Sequence, residues 1–192
     1  MRVLRRVVLP EPGVGMPCGG KMEVYVEPFL PQPELMLVGQ GRIAELVAEL
    51  GRLLHFRVTV NSPGATREDF PFADQLITDD TDYQKINPGL NSYVIVLTQH
   101  KGDQQVIQAA LRGTPRYIGL VASAKRSRLV VEYLKEGGMD ADALRQVLRA
   151  PCGLDLGGRT PEEIALSIIT EVVKLRHERT GLSMMEVKQC SI

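Results

Sequence analysis

A chain of 192 residues, 44% hydrophobic and 24% charged, has material for one ordinary buried core plus an appendage, and is too apolar to be a disordered chain. Its 23 basic and 23 acidic residues cancel to zero net charge, which argues against a nucleic-acid-binding protein with its basic excess, but says nothing against a local site for a small anion. No apolar run approaches the ~18 residues that cross a bilayer, and three cysteines (Cys18, Cys152, Cys190) without C-x-x-C spacing speak against a disulfide scaffold or structural zinc site and for a reducing cytoplasm.

The first segment is basic and then apolar (Arg2, Arg5, Arg6, then Val7-Val-Leu9), with an apolar part too short for a signal-peptide core. Lys21-Met-Glu-Val-Tyr-Val-Glu27 alternates with period two and predicts a strand covered on one face. Prolines and glycines crowd both sides of it. Residues 1–31 are therefore expected to form a short N-terminal β arm, and residues 32–192 the main domain.

From Glu34 the pattern changes. Leu35-Met-Leu-Val38 is a continuous apolar run, as in a strand buried on both faces. After Gly39-Gln-Gly41, apolar residues at Ile43, Leu46, Val47, Leu50, Leu53 and Leu54 fall at helical spacing. Phe56-Arg-Val-Thr-Val60 is a second strand, completing a βαβ unit. Tyr93–Leu97 predicts a central strand, about Asp103 to Leu111 a helix, and Tyr117–Val121 another strand. The next helix carries Leu129, Val130, Tyr133 and Leu134, stops at Gly137-Gly138, and is followed by a short helix capped by Asp140. Thr160-Pro-Glu-Glu163 reads as a capping box with proline at the first helical position, opening a final helix with Ile164, Ile168, Val172 and Leu175 on its buried side. Strands alternating with helices in this way predict an α/β fold: a Rossmann-like parallel sheet with helices on both faces, in addition to the arm.

Gly39-Gln40-Gly41-Arg42-Ile43-Ala44 fits a G-x-G-x-x-A phosphate turn between a strand and a helix, where the glycines admit a phosphate and free helical N–H groups face it. The plain alternative is a tight turn with no ligand. Where dinucleotide enzymes carry an acid at the end of the second strand, this chain has Asn61, followed by Ser62. Asn61 can bond a hydroxyl without charge, or Asn-Ser-Pro simply turns the chain. Thr98-Gln-His100-Lys-Gly-Asp103 follows the central strand and so falls on the carboxyl edge of the sheet, where such folds bind ligands. His100 and Asp103 either pair for proton transfer or Asp103 caps the next helix. Ser123 is an expected N-cap, and Lys125, Arg126 and Arg159 are either anion contacts or ordinary solvated charges. Cys18, between proline and glycines, is a candidate sulfur or soft-metal contact or just a small turn residue. No spacing suggests a metal-ligand cluster.

Several segments together resemble the xanthine dehydrogenase accessory (XdhC/CoxI) family. They are Cys18-Gly-Gly20, Val26-Glu-Pro28, Gly39-Gln-Gly41, Phe70-Pro-Phe-Ala-Asp74, Leu97-Thr-Gln-His100 and Tyr117-Ile-Gly-Leu120. The most specific is Ala150-Pro-Cys-Gly-Leu-Asp-Leu-Gly-Gly-Arg-Thr-Pro-Glu-Glu-Ile-Ala165, followed by Ser167-Ile168 and Glu171. The resemblance implies a maturation factor for molybdenum hydroxylases. Such a factor is chaperone-like rather than a turnover enzyme, binds the molybdenum cofactor in its pterin phosphate or dinucleotide form, protects it while it is sulfurated, and hands it to the apo-enzyme. It also implies a cysteine desulfurase as partner and a homodimer. The chain departs from the family pattern at Arg42 (often His), Asn61 (often Asp), Gln99 (splitting a Thr-His pair) and Ala122-Ser123 (in place of Gly-Ser). These departures all fall on the expected ligand edge. Two other functions suit the same fold. One is an NAD(P)-dependent oxidoreductase, against which Asn61 and the lack of a separate substrate domain both count. The other is a non-catalytic nucleotide-binding assembly module.

Overall fold

The computed structural model describes residues 31–99 and 102–188. The expected strand at 21–27, and with it nearly all of the expected arm, lies outside the described residues, as do Cys18 and His100.

The strands are β1 (Glu34–Gly39), β2 (Arg57–Asn61), β3 (Gln75–Ile77), β4 (Ser92–Leu97), β5 (Tyr117–Leu120) and β6 (Leu148–Arg149). They form one sheet in the order β3-β2-β1-β4-β5-β6, every pair parallel. The helices are α1 (Arg42–Leu53), α2 (Asp103–Arg112), α3 (Ala124–Glu136), α4 (Ala141–Val147), α5 (Pro161–Arg176) and α6 (Met184–Lys188). This is the Rossmann-like fold expected from the sequence. The order reverses between β1 and β4, so the switch point lies beside the Gly39–Gly41 turn. No helix among the described residues is long and apolar enough to cross a membrane.

Alternation along each strand sends side chains to two separate cores. Leu35 and Leu37 of β1, Val58 and Val60 of β2, Tyr93 and Ile95 of β4 and Tyr117 of β5 face α1 and α5, meeting Ala44, Val47, Ile168 and Val172. Met36, Val38, Val94, Val96, Ile118 and Leu120 face the other way, onto Val106 and Ile107 of α2, Val130 and Leu134 of α3 and Leu144 of α4. Both faces of the central strands are thereby dry, which is why β1 and β4 read as continuous apolar runs.

The helix caps form as the sequence spacing predicts. Ser123 Oγ accepts from the Arg126 N–H, and Asp140 caps α4 through the Ala143 N–H. Thr160 and Glu163 exchange bonds in a full capping box, with Pro161 at the first helical position. Two expected stripes are narrower than periodicity suggests. Leu53 and Leu54 at the end of α1, and Leu129 and Tyr133 on α3, are exposed. In α1 the buried face is made by Ala44, Val47, Ala48 and Gly51 instead.

Candidate functional site at the carboxyl edge of the sheet

The β1–α1 turn is shaped by two glycines for different reasons. Gly39 has φ +128°, and a β-carbon there would lie 2.1 Å from the Leu97 carbonyl oxygen and 2.4 Å from its carbon. The ends of β1 and β4 can approach only because that β-carbon is missing. Gly41, the N-cap of α1, has φ +100° and ψ 173°, a conformation essentially reserved for glycine. A β-carbon here would meet only the tip of the Gln99 side chain, at 3.3 Å. The turn therefore leaves the first N–H groups of α1 facing outward over the sheet edge, where an anion is favoured by the helix dipole and by unsatisfied donors.

Two cavities flank this turn and share Gln40. The first, about 120 Å³, is bounded by Val38, Gly39, Asn61, Ser62, Tyr83 and Thr98 among others. The second, about 260 Å³, is bounded by Gly41, Glu45, Asp69, Phe70 and Gln99 among others. Each falls short of the ~300 Å³ at which enclosed small-molecule sites begin. A ligand spanning both would be held along one side and left open on the other. Their charges differ: the second cavity carries the carboxylates of Glu45 and Asp69. The Asp69 carboxyl is held below its usual range by the Thr66 backbone N–H and then the Thr66 hydroxyl.

Asn61 ends β2 beside the turn, paired in register with Val38. Its side chain is fully buried. Its Nδ2 donates to Asp80 Oδ2 at 2.5 Å, while its Oδ1 has no hydrogen-bond partner. A buried amide oxygen left unpaired costs about 1–3 kcal/mol, so a ligand hydroxyl or amine reaching this atom would recover free energy the apo fold forgoes. Asp80 is itself buried and also accepts the N–H groups of Gln84 (2.8 Å) and Lys85 (3.1 Å). Ser62, also buried, is held through its N–H to the Ile77 carbonyl at 2.9 Å.

Across the switch point, Thr98 Oγ1 donates to Asp103 Oδ1, and Asp103 Oδ2 takes the Arg126 Nε at 3.0 Å. Asp103 is 2% exposed and Arg126 27%, so the pair sits largely out of water. The cap of α2 is Gly102, without a side-chain cap bond. Asp103 is thus not that cap; it fastens the start of α2 to Thr98 and α3, while the expected pairing with His100 falls outside the described residues. Tyr83, in the β3–β4 connection, lays its ring and hydroxyl within 2.7 to 3.2 Å of where a Gly102 β-carbon would stand. Burial, and then the nearby Asp103 and Asp80, push its hydroxyl pKa up.

The remaining sequence candidates take these positions. Arg42, the first residue of α1, is exposed and lies 3.2 Å from Glu45 and 3.5 Å from Glu162, so part of its charge is already answered. Lys125 is exposed in the first turn of α3. Arg159 is exposed, and its backbone N–H donates to Glu163 Oε2 at 2.8 Å. The turn residues, Asn61, Ser62 and Thr98 are brought to one edge. Asp80 and Tyr83 join them from a connection with no periodicity, which gave no sequence signal.

The motif stretch from Ala150 acts as a strap from β6 to α5. The Cys152 N–H donates to the Leu120 carbonyl at 3.0 Å. Glu171 Oε2 accepts from the Gly153 N–H (2.8 Å) and the Tyr117 hydroxyl (2.6 Å). Ser167 Oγ donates to the Leu154 carbonyl at 2.5 Å. Burial, and then Glu171, push the Cys152 thiol up to about 12. At neutral pH it is a protonated packing group rather than a nucleophile.

The XdhC Rossmann domain matches residues 35–172, most of the described chain. The chain is 29% identical over 163 residues to a probable xanthine dehydrogenase component of Bacillus subtilis (strain 168), covering 80% of this chain and 46% of that protein. It is 27% identical over 181 residues to YqeB, an uncharacterized protein of Escherichia coli (strain K12), covering 90% of this chain and 33% of that one. A crystal structure of a xanthine dehydrogenase from Bacillus halodurans superposes with a TM-score of 0.66 at 26% identity, over 82% of this chain and 46% of that chain. The chain therefore spans less than half the length of each of these relatives.

Proposed function

Because the chain belongs to the XdhC family through its Rossmann domain, we propose that it is a maturation factor for a xanthine dehydrogenase-type molybdenum hydroxylase, carrying the molybdenum cofactor to the apo-enzyme. The observation that carries this reading is the glycine turn at the switch point, whose Gly39 and Gln40 line the cavity beside Asn61 and whose Gly41, the N-cap of α1, lines the neighbouring cavity. The cofactor ends in a phosphate or a nucleotide diphosphate, the kind of group that a glycine turn at a helix start holds. The backbone around Gly39, Gln40 and Gly41 would hold the phosphate, and the unpartnered Asn61 oxygen supplies a place for a hydroxyl of the ligand. When bound, the cofactor supplies the molybdenum–dithiolene centre that the target enzyme uses. The small, open cavities suit a carrier, since a ligand held at one end leaves the other accessible for sulfuration and release. In this reading the protein works in the cytoplasm with a cysteine desulfurase and as a homodimer, and Cys18 is a candidate contact for the sulfur.

The direct test is transfer. The protein is loaded anaerobically with the cofactor, freed of excess, and mixed with an apo molybdenum hydroxylase. Recovered hydroxylase activity that exceeds that from the same amount of free cofactor is the expected result. Activity no higher than with free cofactor would remove the carrier role.

A further inference from the structure

We propose that Arg42 is an exchangeable anion contact under autoinhibition: Glu45 and Glu162 compete with a phosphate-bearing ligand for its guanidinium, and so set how tightly the site holds that ligand. This rests on the reading that the glycine turn holds phosphate, and it adds how the grip of the turn is regulated.

The start of α5 carries two glutamates, and its capping box uses one of them. Glu163 exchanges bonds with Thr160, and its carboxylate also takes the Arg159 N–H. Glu162 takes no part in that box. Its Oε1 lies 3.5 Å from Arg42 Nε, on a different helix. Arg42 Nη1 also meets Glu45 Oε2 at 3.2 Å, one turn further along α1. A single guanidinium thus stands between two carboxylates. Arg42 is the first residue of α1, directly after the N-cap Gly41, and a helical side chain leans toward the N-terminus of its own helix. Its charge is therefore tethered at the mouth of the turn, within reach of an anion held by the first N–H groups of α1. Glu45 borders the cavity that Gly41 lines, whereas Glu162 borders neither cavity.

Exposure makes this contact a loose latch and not a lock. The side chains of Arg42, Glu45 and Glu162 are all in touch with solvent, so each ion pair is weak. A phosphate carries more charge and several acceptor oxygens in one place, and it outcompetes a single carboxylate for a planar guanidinium. The two carboxylates then stand beside the bound anion and repel it, which favours release. Arg126 gives the contrast: its partner Asp103 is buried, so that guanidinium is built into the fold, while Arg42 can change partners.

The test is a double-mutant cycle on the full chain, with inorganic pyrophosphate as the probe, calorimetry at low ionic strength and thermal unfolding alongside. Glu162→Gln is expected to bind pyrophosphate about three- to fivefold more tightly than the wild type, the scale of one exposed ion pair. Arg42→Gln is expected to bind it about tenfold more weakly, the scale of a lost charge-assisted hydrogen bond. With both changes together the gain from Glu162→Gln should vanish, leaving affinity within about twofold of Arg42→Gln alone. A merely structural tie between α1 and α5 predicts the opposite for Glu162→Gln, a lower melting temperature without tighter binding. Wild-type affinity in Glu162→Gln overturns the competition and leaves the phosphate turn standing. So does a gain that persists beside Arg42→Gln, since it would reflect only a negative charge removed from the neighbourhood. No pyrophosphate binding by the wild type overturns both readings.

Discussion

Replacing Gly39 with alanine is expected to cost the domain much of its stability. The added β-carbon would lie 2.1 Å from one backbone atom of Leu97 and 2.4 Å from another, and neither can swing aside as a side chain can. The end of β1 would have to part from β4, whose central strand is buried along its whole length. The positive φ adds strain of its own. Together these place the change among the large single-residue losses, about 3–5 kcal/mol. For a chain of this size that is a fall of roughly 10 °C in melting temperature, read by thermal unfolding. A melting point within about 2 °C of the wild type would mean that β1 and β4 do not meet as described.

Gly41→Val is expected to do the opposite: keep the fold and lose the ligand. Here an added β-carbon meets only the tip of the Gln99 side chain. Its cost is the backbone conformation, about 1–3 kcal/mol, against a total stability of about 5–15 kcal/mol for domains of this kind. The protein should stay folded, melting several degrees lower. Relieving the strain, however, turns the N-cap and moves the N–H groups proposed to face a phosphate. Losing about two hydrogen bonds to a charged group is worth roughly 3 kcal/mol, or about a hundredfold in affinity. Cofactor titration of the folded variant reads this directly. Affinity equal to the wild type would place the phosphate somewhere other than this turn.

The contrast between these glycines indicates how far the sequence alone reaches. The G-x-G spacing between an apolar run and an amphipathic helix marks the turn, because both elements announce themselves through periodicity. It does not say that Gly39 serves strand packing and Gly41 the helix start; that depends on β4, which arrives over 50 residues later. The caps at Ser123, Asp140 and Thr160 are legible because capping is local, set by a side chain and an N–H a few residues on. The three-residue β3 and two-residue β6 are too short to carry a period, and the sheet's edges are invisible in the sequence for that reason.

Within the candidate site, the residues next to strand ends are legible and their partners are not. Asn61 can be found by counting from the glycine turn. That it presents an oxygen rather than an NH₂ follows from Asp80, 19 positions away in a run of acidic residues that reads as a solvated turn. Sequence alone leaves Asp103 open between pairing with His100 and capping a helix. Its bonds to Thr98 and Arg126 join three separate connections and depend on the sheet order. The Ala150–Ala165 stretch carries the family resemblance, yet its described bonds to Glu171 and Leu120 make it a fastening of the fold. A distinctive motif need not line the site it advertises.

On the proposed function, the carboxyl edge beside Gly39–Gly41 binds the molybdenum cofactor. The most direct measurement is native mass spectrometry of the purified protein, alone and after anaerobic incubation with the cofactor or with NAD(H). A stoichiometric cofactor adduct is expected in the wild type, absent in folded Gly41→Val, with no adduct of NAD(H). An NAD(H) adduct without a cofactor adduct would contradict the claim and move the protein to the oxidoreductases.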